Sequence, residues 1–479
     1  MKVHKSSPIC IIILVSILYL SILCNGEDGD SIGAPMEKSE QEALYSAIQG
    51  FVGKWWNGSD LFPDPCGWTP IQGVSCDLLD GYWYVTSLNI GPVHENSLIC
   101  GPKVEFRPQL FALKHLKSLS FYNCFVSPIH PVSIPTHNWE LLAETLESLE
   151  FRSNPGLIGQ VPTSLGGLIK LESLVLIQNG FTGEIPTSLG SLMNLKRLVL
   201  AENRFIGQIP VTLGSLRKLL ILDLSWNSLS GPLPATFGGL ISLLKLDLSS
   251  NQLEGKVPQE IGNLKNLTLL DLSSNKFSGE LTKTLQEMSS LEELVLSNNS
   301  MGGDLMNLKW HFLKDLKVMD LSNMNLTGGI PESITELKGL RFLGLNNNNL
   351  EGEILTKLGT LPNISAIYLN GNNLTGELKF SEVFYRKMGR RFGAWNNNIN
   401  LCYPMELRHV PFGVKPCQKE VTTLNKFEIQ EKSHLGNGNL STSMASSATA
   451  SNELCYIYMV QIIMMVLVLK FSFRMRFSW

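Results

Sequence analysis

Two consecutive segments of this chain carry the same pattern of leucines and asparagine. From Leu219 to Pro258 the frame L-x-x-L-x-L-x-x-N-x-L-x-G-x-x-P occurs twice, with its asparagine at Asn227 and, 24 residues later, at Asn251. Self-similarity at a period of about 20–29 residues is typical of a solenoid of stacked repeats. Each repeat of a solenoid packs only on its neighbours, so 479 residues can fold without one oversized core.

The frame asparagine recurs along most of the chain at intervals of 24 or 25 residues. Counting Cys124 as the first frame position gives eleven repeats, and a degraded twelfth runs through Phe392 and Asn397 into Leu401. The later frame positions are Asn154, Asn179, Asn203, Asn227, Asn251, Asn275, Asn299, Met324, Asn348 and Asn372.

The frame has a physical reading at each position. We expect its leucines to point inward from a short parallel strand, and its asparagine to bond backbone groups in the buried bend that follows. Met324 cannot form such bonds, which predicts a looser turn there unless Asn323 or Asn325 takes the role. The gap between Cys124 and Asn154 is 30 residues, which predicts an insertion on the convex or flanking side.

Six of the nine cysteines lie at the two ends of the array, and the other three fall in terminal apolar runs. No C-x2-C or H-x3-H spacing accompanies the six, so metal ligation is the weaker explanation. An even number of cysteines in an exported chain predicts disulfides. The expected pairs are Cys66–Cys76, Cys100–Cys124 and Cys402–Cys417.

A helix is predicted before the first repeat. Ser39 and Glu42 match a capping box, and apolar residues then follow at helical spacing up to Gly58. Such a helix, followed by a cysteine-pinned turn, would cover the apolar end of the first repeat. Val85 to Ile90 reads as the entry strand.

Two motifs carry a family resemblance. The L-x-G-x-I-P element after the asparagine resembles the plant-specific type of leucine-rich repeat, and the block DPCGW…GVSC, which begins at Asp64, resembles the N-terminal cap of plant extracellular repeat proteins. The resemblance covers Glu37 to Cys417. It implies an α/β solenoid, a curved leucine-rich-repeat superhelix of the plant-specific type with 24-residue repeats and disulfide-bonded N- and C-terminal caps.

The ends of the chain predict export and attachment to a membrane. A short apolar run after Lys2 and Lys5 fits a signal peptide and is short for a membrane anchor. A polar stalk and an apolar stretch follow the array. The expected segments are a signal peptide at 1–26, an N-terminal helical cap and entry strand at 27–100, repeats at 101–400, a C-terminal cap at 401–420, a stalk at 421–453, a hydrophobic anchor at 454–469 and a basic tail at 470–479.

Two kinds of anchor fit the C-terminal apolar stretch. A transmembrane helix would place the basic tail inside the cell, as the positive-inside rule expects. A lipid-anchor signal would also show small residues, a polar spacer and a hydrophobic tail, although such tails usually end without basic residues. The helix is slightly favoured, and both place the array on the extracellular face of the plasma membrane.

No catalytic signature was found. The sequence lacks a phosphate-binding glycine loop, a G-x-S-x-G element and a kinase catalytic loop, so we expect no enzyme activity and no cofactor. A net charge of −3 does not favour nucleic acid. Asp223, Asp247, Asp271 and Asp320 share one frame position, and we interpret them as a solvated or hydrogen-bonded ladder on the inner sheet, not as an acid–base site.

Sequons of the form N-x-[ST] predict glycans in an exported chain. One match, Asn298, is doubtful because it would lie on the concave sheet beside Asn299. The expected glycosylation sites are Asn57, Asn266, Asn325, Asn363, Asn373 and Asn439.

The frame also predicts which side chains face outward from the concave sheet, the surface that solenoids use for binding. Large aromatic residues and arginines there are candidates for ligand contact, whereas Val175 and Val199 could merely fill a β-face. The candidate ligand-binding residues are Arg152, Val175, Ile177, Val199, Glu202, Trp226, Arg341, Phe342 and Tyr368.

The layout resembles plant receptor-like proteins without a kinase. That resemblance implies recognition of an extracellular peptide or protein at the cell surface, signalling through a membrane co-receptor kinase, and a role in the response to microbes. The repeats also resemble polygalacturonase-inhibiting proteins, which block microbial pectin-degrading enzymes but lack a hydrophobic tail. A structural wall protein is a third reading, and it predicts no defined ligand face.

Overall fold

The structure, a computed structural model, describes residues 34–93, 97–127 and 129–418. The signal peptide, stalk, anchor, basic tail and Asn439 sequon all lie outside the described residues. Within the described part, no helix is both long enough and apolar enough to cross a membrane.

The N-terminal cap begins with helix α1, Lys38–Val52, followed by the single turn α2, Gly58–Leu61. Helix α1 buries Leu44, Ile48 and Phe51 against the first strands. The predicted helix is thus present but ends at Val52. The predicted capping box is wrong. Glu37 is the N-cap, and the Ser39 hydroxyl donates to the Glu37 carboxylate over 2.8 Å.

Fourteen strands on one side of the array form the concave sheet. The first two pair antiparallel, and the rest add in parallel, one per repeat. They are Val74–Leu79, Tyr82–Ile90, Ser118–Tyr122, Ser148–Gly159, Ser173–Gly183, Arg197–Val199, Ile221–Asp223, Lys245–Asp247, Leu269–Asp271, Glu293–Val295, Val318–Asp320, Phe342–Gly344, Ala366–Tyr368 and Phe392–Gly393.

A second parallel ladder runs along the flank of the array, after the frame asparagines. The longer strands of the second and third repeats, Ser148–Gly159 and Ser173–Gly183, reach into it. Its further strands are Arg204–Gln208, Ser228–Pro232, Gln252–Gly255, Lys276–Glu280, Ser300–Asp304 and Leu326–Thr327, then a separate group of Glu351–Glu353, Asn373–Glu377, Asn400–Tyr403 and Lys415–Pro416.

Short 3-10 helices form the convex side and pack repeat against repeat. Hydroxyls link several of them: Thr212, for instance, donates to the carbonyl of Thr187 over 2.8 Å. Near the C-terminus one α-helix, α3 at Glu382–Met388, replaces a 3-10 turn. The 3-10 helices are Pro108–Ala112, Trp139–Leu142, Thr163–Gly167, Thr187–Ser191, Val211–Ser215, Ala235–Gly239, Gln259–Asn263, Lys283–Glu287, Leu305–Asn307, Trp310–Phe312, Glu332–Glu336, Thr356–Thr360 and Gly389–Arg391.

The frame asparagines form the predicted ladder in the core. Asn251 is representative: its Nδ2 donates to the carbonyls of Leu224 and Leu248, and its Oδ1 accepts from the N–H of Leu229. The side chain is buried, so each bond satisfies a backbone group that water cannot reach. One asparagine therefore joins two neighbouring repeats.

Two frame positions depart from the regular asparagine pattern, Met324 and the position in the twelfth repeat. Met324 is fully buried, and the strand that follows it, Leu326–Thr327, has only two residues. Asn323 does not replace the missing amide, because its Nδ2 donates to Asn298. In the twelfth repeat the frame residue is Asn398, not Asn397 as predicted: its Nδ2 donates to the carbonyls of Leu369 and Ala394.

All three expected disulfides are present. They are Cys66–Cys76, Cys100–Cys124 and Cys402–Cys417. The first and third lie in the caps, and the second joins the entry segment to the first frame position. The insertion before Asn154 was predicted on the convex or flanking side, and its residue Val132 lies on the flank, where it pairs with Leu157. The predicted fold class is confirmed.

Candidate functional site

The concave sheet presents regular rows of outward-facing side chains. In the three-residue strands the central residue, usually leucine, is buried and points inward, and the residues on either side of it face out. Strand register aligns these flanking residues across the repeats: Lys245 lies between Ile221 and Leu269, and Asp247 lies between Asp223 and Asp271. A ligand that crosses the strands therefore meets one residue of each row per repeat.

Two of the candidate residues are not exposed. Val175 is fully buried and Val199 is 6% exposed. Together with Ala201 they form a small apolar cluster of their own, against which Ile177 and Ile221 pack. The expectation that both valines are accessible is thus corrected: side chains in adjacent strands stand close enough to cover short β-branched residues.

Beside this cluster, two arginines share one carboxylate. Arg152 Nε lies 2.8 Å from Glu150 Oε2, and Arg197 Nη1 lies 3.8 Å from Glu150 Oε1. The Nε atom of Arg197 is buried without a hydrogen-bond partner. Burial, and secondly the Arg152 guanidinium, lower the pKa of Arg197. The outer nitrogens of both arginines remain able to donate to an acidic group.

Glu150 and Arg197 were missed by sequence reasoning. Their place in the repeat frame could have identified them as outward-facing. Strand register aligns Glu150 with Val175, and Arg197 with Ile221. Each is an outward-facing neighbour of a buried leucine. Their distance from each other depends on how the strands stack.

The aspartates at the recurrent frame position form a hydrogen-bonded ladder. Asp223, Asp271 and Asp320 each accept from the hydroxyl of the serine two residues later, over 2.6, 2.6 and 2.7 Å. Burial raises the pKa of Asp271 to about 6. For Asp247, burial and then the charges of Asp271 and Asp223 raise the pKa well above its usual value. Oδ1 of each aspartate thus accepts within its own repeat, in agreement with the interpretation as a hydrogen-bonded ladder.

A column of left-handed residues lines one edge of the concave sheet, each directly before a frame position. Small or polar residues occupy nearly all of it, as the left-handed region favours. Trp226 is the exception: it has φ of +56° and is 59% exposed. The column comprises Asn123, Ser153, Gln178, Glu202, Trp226, Ser250, Ser274, Asn298, Asn323, Asn347, Gly371 and Asn397.

Side-chain hydrogen bonds connect successive residues of this column up to the repeat before Trp226. The Ser153 hydroxyl donates to Gln178 Oε1 over 2.8 Å, and Gln178 Nε2 donates to Glu202 Oε2 over 2.9 Å. Glu202 is the residue of the column directly before Trp226. The candidate residues Arg152, Ile177, Glu202 and Trp226 therefore fall on four consecutive repeats.

The remaining candidates form a second group. The rings of Phe342 and Tyr368 lie 5.8 Å apart between centroids, at an interplanar angle of 51°. Both are half-buried, and Arg341 beside them is exposed. Five strand spacings, about 24 Å, separate the strand of Trp226 from that of Phe342. The sheet thus carries two candidate contact regions.

Five of the six expected glycosylation sites are described, and all five asparagines are exposed. Asn298 is exposed as well, and its Oδ1 accepts from Asn323. Asn266 and Asn363 have equivalent positions, where each donates to a carbonyl of the preceding repeat. Their modification remains a prediction.

The stacked frame and the concave parallel sheet define a leucine-rich-repeat solenoid. Comparison with known families agrees, because the family described as "Leucine-rich repeat region" matches residues 110–442. The chain belongs to this family.

Two curated relatives resemble particular parts of the chain. Over 173 residues it is 60% identical to Piriformospora indica-insensitive protein 2 of Arabidopsis thaliana, which covers 35% of this chain and 40% of that protein. Over 182 residues it is 34% identical to Receptor like protein 29 of the same plant, which covers 37% of each. The matches thus span about two fifths of either relative.

A solved structure shows the same fold. The chain matches the plant peptide hormone receptor RGFR1 in complex with RGF2 with a TM-score of 0.54 and 27% identity, over 62% of this chain and 48% of that one. The expected resemblance to plant extracellular leucine-rich-repeat receptors is confirmed at the level of fold and family.

Proposed function

We propose that this protein is a receptor-like recognition protein of the plant cell surface that binds a peptide or an extended protein segment on its concave sheet. Trp226 is the observation that carries the proposal. A bulky residue in the left-handed region costs free energy, so its presence at an exposed position favours a use outside the fold. Exposed tryptophans are frequent binding hot spots.

The two candidate regions set the form of the ligand. A segment that touches both Trp226 and Phe342 must cross about 24 Å, which needs roughly seven extended residues at about 3.4 Å each. Arg152 and Arg197 would favour an acidic residue at the Trp226 end. The named relatives and the peptide-bound receptor support this class of ligand.

The remaining parts of the proposal concern place and signalling. We expect the array to be held on the extracellular face of the plasma membrane by residues 454–469. We expect signalling to run through a partner that carries a kinase domain, and the similarity to Piriformospora indica-insensitive protein 2 supports a role in the response to microbes.

The test uses secreted peptides as the probe. The full chain, immobilised in detergent, is exposed to the peptide fraction of culture filtrate from a root-colonising fungus, and captured peptides are identified and resynthesised. We expect Trp226→Ala with Phe342→Ala to weaken binding of a captured synthetic peptide by at least about tenfold, which corresponds to about 1.4 kcal/mol. The matched control is Met306→Ala, an exposed residue on the convex side. Equal binding by parent and double variant would contradict the proposal.

The inhibitor reading has its own outcome in the same preparation. A polygalacturonase assay with fungal enzyme would show a stoichiometric loss of pectin cleavage if the chain were an inhibitor. We expect no such loss.

A further inference from the structure

One lateral edge of the array changes its chemistry halfway along. In each repeat an exposed residue lies two positions before the first frame leucine, and in five successive repeats these residues are Glu144, Ile169, Met193, Arg217 and Ile241. The three apolar members are 47%, 57% and 55% exposed. We call this line the lateral row. Clustered exposed apolar side chains are typical of interaction sites.

A second line, the inner lateral row, runs beside it. It holds Glu147, Glu172, Lys196, Leu220 and Leu244, each directly after the first frame leucine. Backbone bonds of 2.7 to 2.9 Å join each member to the one before it. Leu220 and Leu244 are 36% and 39% exposed, so they extend the apolar surface toward the concave sheet.

Beyond Ile241 the same edge is polar. The lateral row continues with Lys265 and later Lys338, and the sequons Asn266 and Asn363 lie next to it. Glycans at these positions would obstruct a close contact. The apolar stretch is therefore confined to the part of the edge that carries no sequon.

The order of charges along the lateral row is self-complementary. Glu144, Ile169, Met193 and Arg217 read acidic, apolar, apolar, basic. A two-fold axis that lies in the contact plane between Ile169 and Met193 would place Glu144 of one copy opposite Arg217 of the other. The same axis places the two apolar side chains opposite each other. Such reciprocity is what a symmetric dimer contact requires.

We propose that this edge is a docking surface for a second copy of the same chain, in an antiparallel two-fold dimer. The inner lateral row agrees with the axis, because Glu172 of one copy would face Lys196 of the other. These two side chains already form an ion pair of 2.7 Å within one chain, so the dimer joins two pairs into one network. Among Glu144 to Arg217, no like charges oppose each other in either row.

The size of the surface sets the strength of the dimer. The part of the lateral row that the axis pairs, Glu144 to Arg217, covers four repeats, or three spacings of about 4.8 Å. This strip is smaller than a standard interface of about 800 Å² per partner. The contact therefore belongs to a weak dimer that depends on concentration, and not to a permanent one.

The test exchanges the two charges. The full chain in detergent is studied by sedimentation velocity over a concentration series. We expect Glu144→Arg and Arg217→Glu each to raise the dimer dissociation constant at least about tenfold, because like charges would then oppose each other across the contact. The matched control, Lys338→Glu, reverses a charge of the same row in the polar half and leaves the dimer unchanged.

A mixture of the two charge-reversed variants distinguishes this dimer contact from any other dimer contact. In an equimolar mixture of the Glu144→Arg and Arg217→Glu chains, both charge contacts have opposite signs again, so a heterodimer forms. Circular dichroism of each variant verifies the fold. A parent chain that stays monomeric at every concentration overturns the proposal. So do single variants that dimerise like the parent, or a mixture that stays monomeric.

Discussion

Asp247 Oδ1 accepts two hydrogen bonds from Ser249, one from its backbone N–H over 2.9 Å and one from its hydroxyl over 2.6 Å. Asp223 and Asp271 flank it in register on the neighbouring strands. Three carboxyl groups thus lie in one row of the sheet, each held by its own serine. The row stacks like charges at a spacing of about 4.8 Å.

The aspartate ladder predicts that the protein is more stable in mild acid. A raised carboxyl pKa means that the folded chain holds a proton that the unfolded chain has released. Stability is therefore greatest below the ordinary aspartate pKa and falls as pH rises through the folded values, the value for Asp271 being about 6. We expect the melting temperature to fall between pH 5 and pH 8. Asp247→Asn should reduce this fall, and the exposed Asp315→Asn should not. A melting temperature that rises with pH would contradict the argument.

A second pH effect is expected in the N-terminal cap. Glu40 is 5% exposed, its Oε1 accepts from the N–H of Val85 over 3.2 Å, and burial raises its pKa to about 7. The cap should therefore lose stability as pH rises from about 4.5 through 7, by up to roughly 3 kcal/mol.

Glu40→Gln imitates the protonated acid and should abolish most of that loss. Hydrogen exchange at the Val85 amide is the local measurement: protection in the parent should be lower at pH 8 than at pH 5 after correction for intrinsic exchange. The variant should show little difference. If it exchanges faster than the parent at both pH values, the carboxylate itself supports the cap and the prediction is wrong.

We expect Trp226 to lower the stability of the fold and to strengthen ligand binding. Its left-handed backbone favours glycine or asparagine, so Trp226→Gly is expected to raise the unfolding free energy of its region by about 1 kcal/mol. The same change should weaken binding of a peptide captured on the concave sheet. Ser250→Gly, at the equivalent position of the next repeat, is the control for the backbone effect alone. Unchanged peptide binding in Trp226→Gly would contradict a role of the tryptophan in binding.

Loss of one frame asparagine should be costly. Asn251→Ala leaves the carbonyls of Leu224 and Leu248 without one donor and the N–H of Leu229 without its acceptor. Each buried group left unpaired costs about 1–3 kcal/mol. We expect a clear drop in melting temperature and faster proteolysis near this repeat. Met324→Leu, at a frame position that forms no such bonds, should cost less than about 1.5 kcal/mol.

Much of the fold was predictable because its determinants are local and repeated. The position of Leu246 between two polar residues predicts that it points inward, and the structure buries it completely. The asparagine ladder followed from the need to pair buried backbone groups. The predictions failed where the pattern was weak: Asn397 and Asn398 are adjacent, and only the bonds to Leu369 and Ala394 decide between them.

The candidate site was predictable only in part. Frame position correctly placed Trp226 and Arg341 among exposed residues. It could not show that Val175 is covered, since that depends on which side chains stand beside it in neighbouring strands. The same reason explains why the proximity of Glu150 and Arg197 was missed.

The sequence by itself determined the repeat, the inward-facing leucines, the disulfide pairs and the class of protein. The first three follow from periodicity and short-range spacing, and the class of protein follows from the family resemblance of two motifs. The tertiary structure decided which outward-facing residues stay accessible, how Asp247 is held, and that Glu144 and Arg217 lie on one edge. Each of these depends on stacking, which brings residues about 24 positions apart in the sequence within about 5 Å of one another. The repeat pattern specifies only in part which side chains then become neighbours.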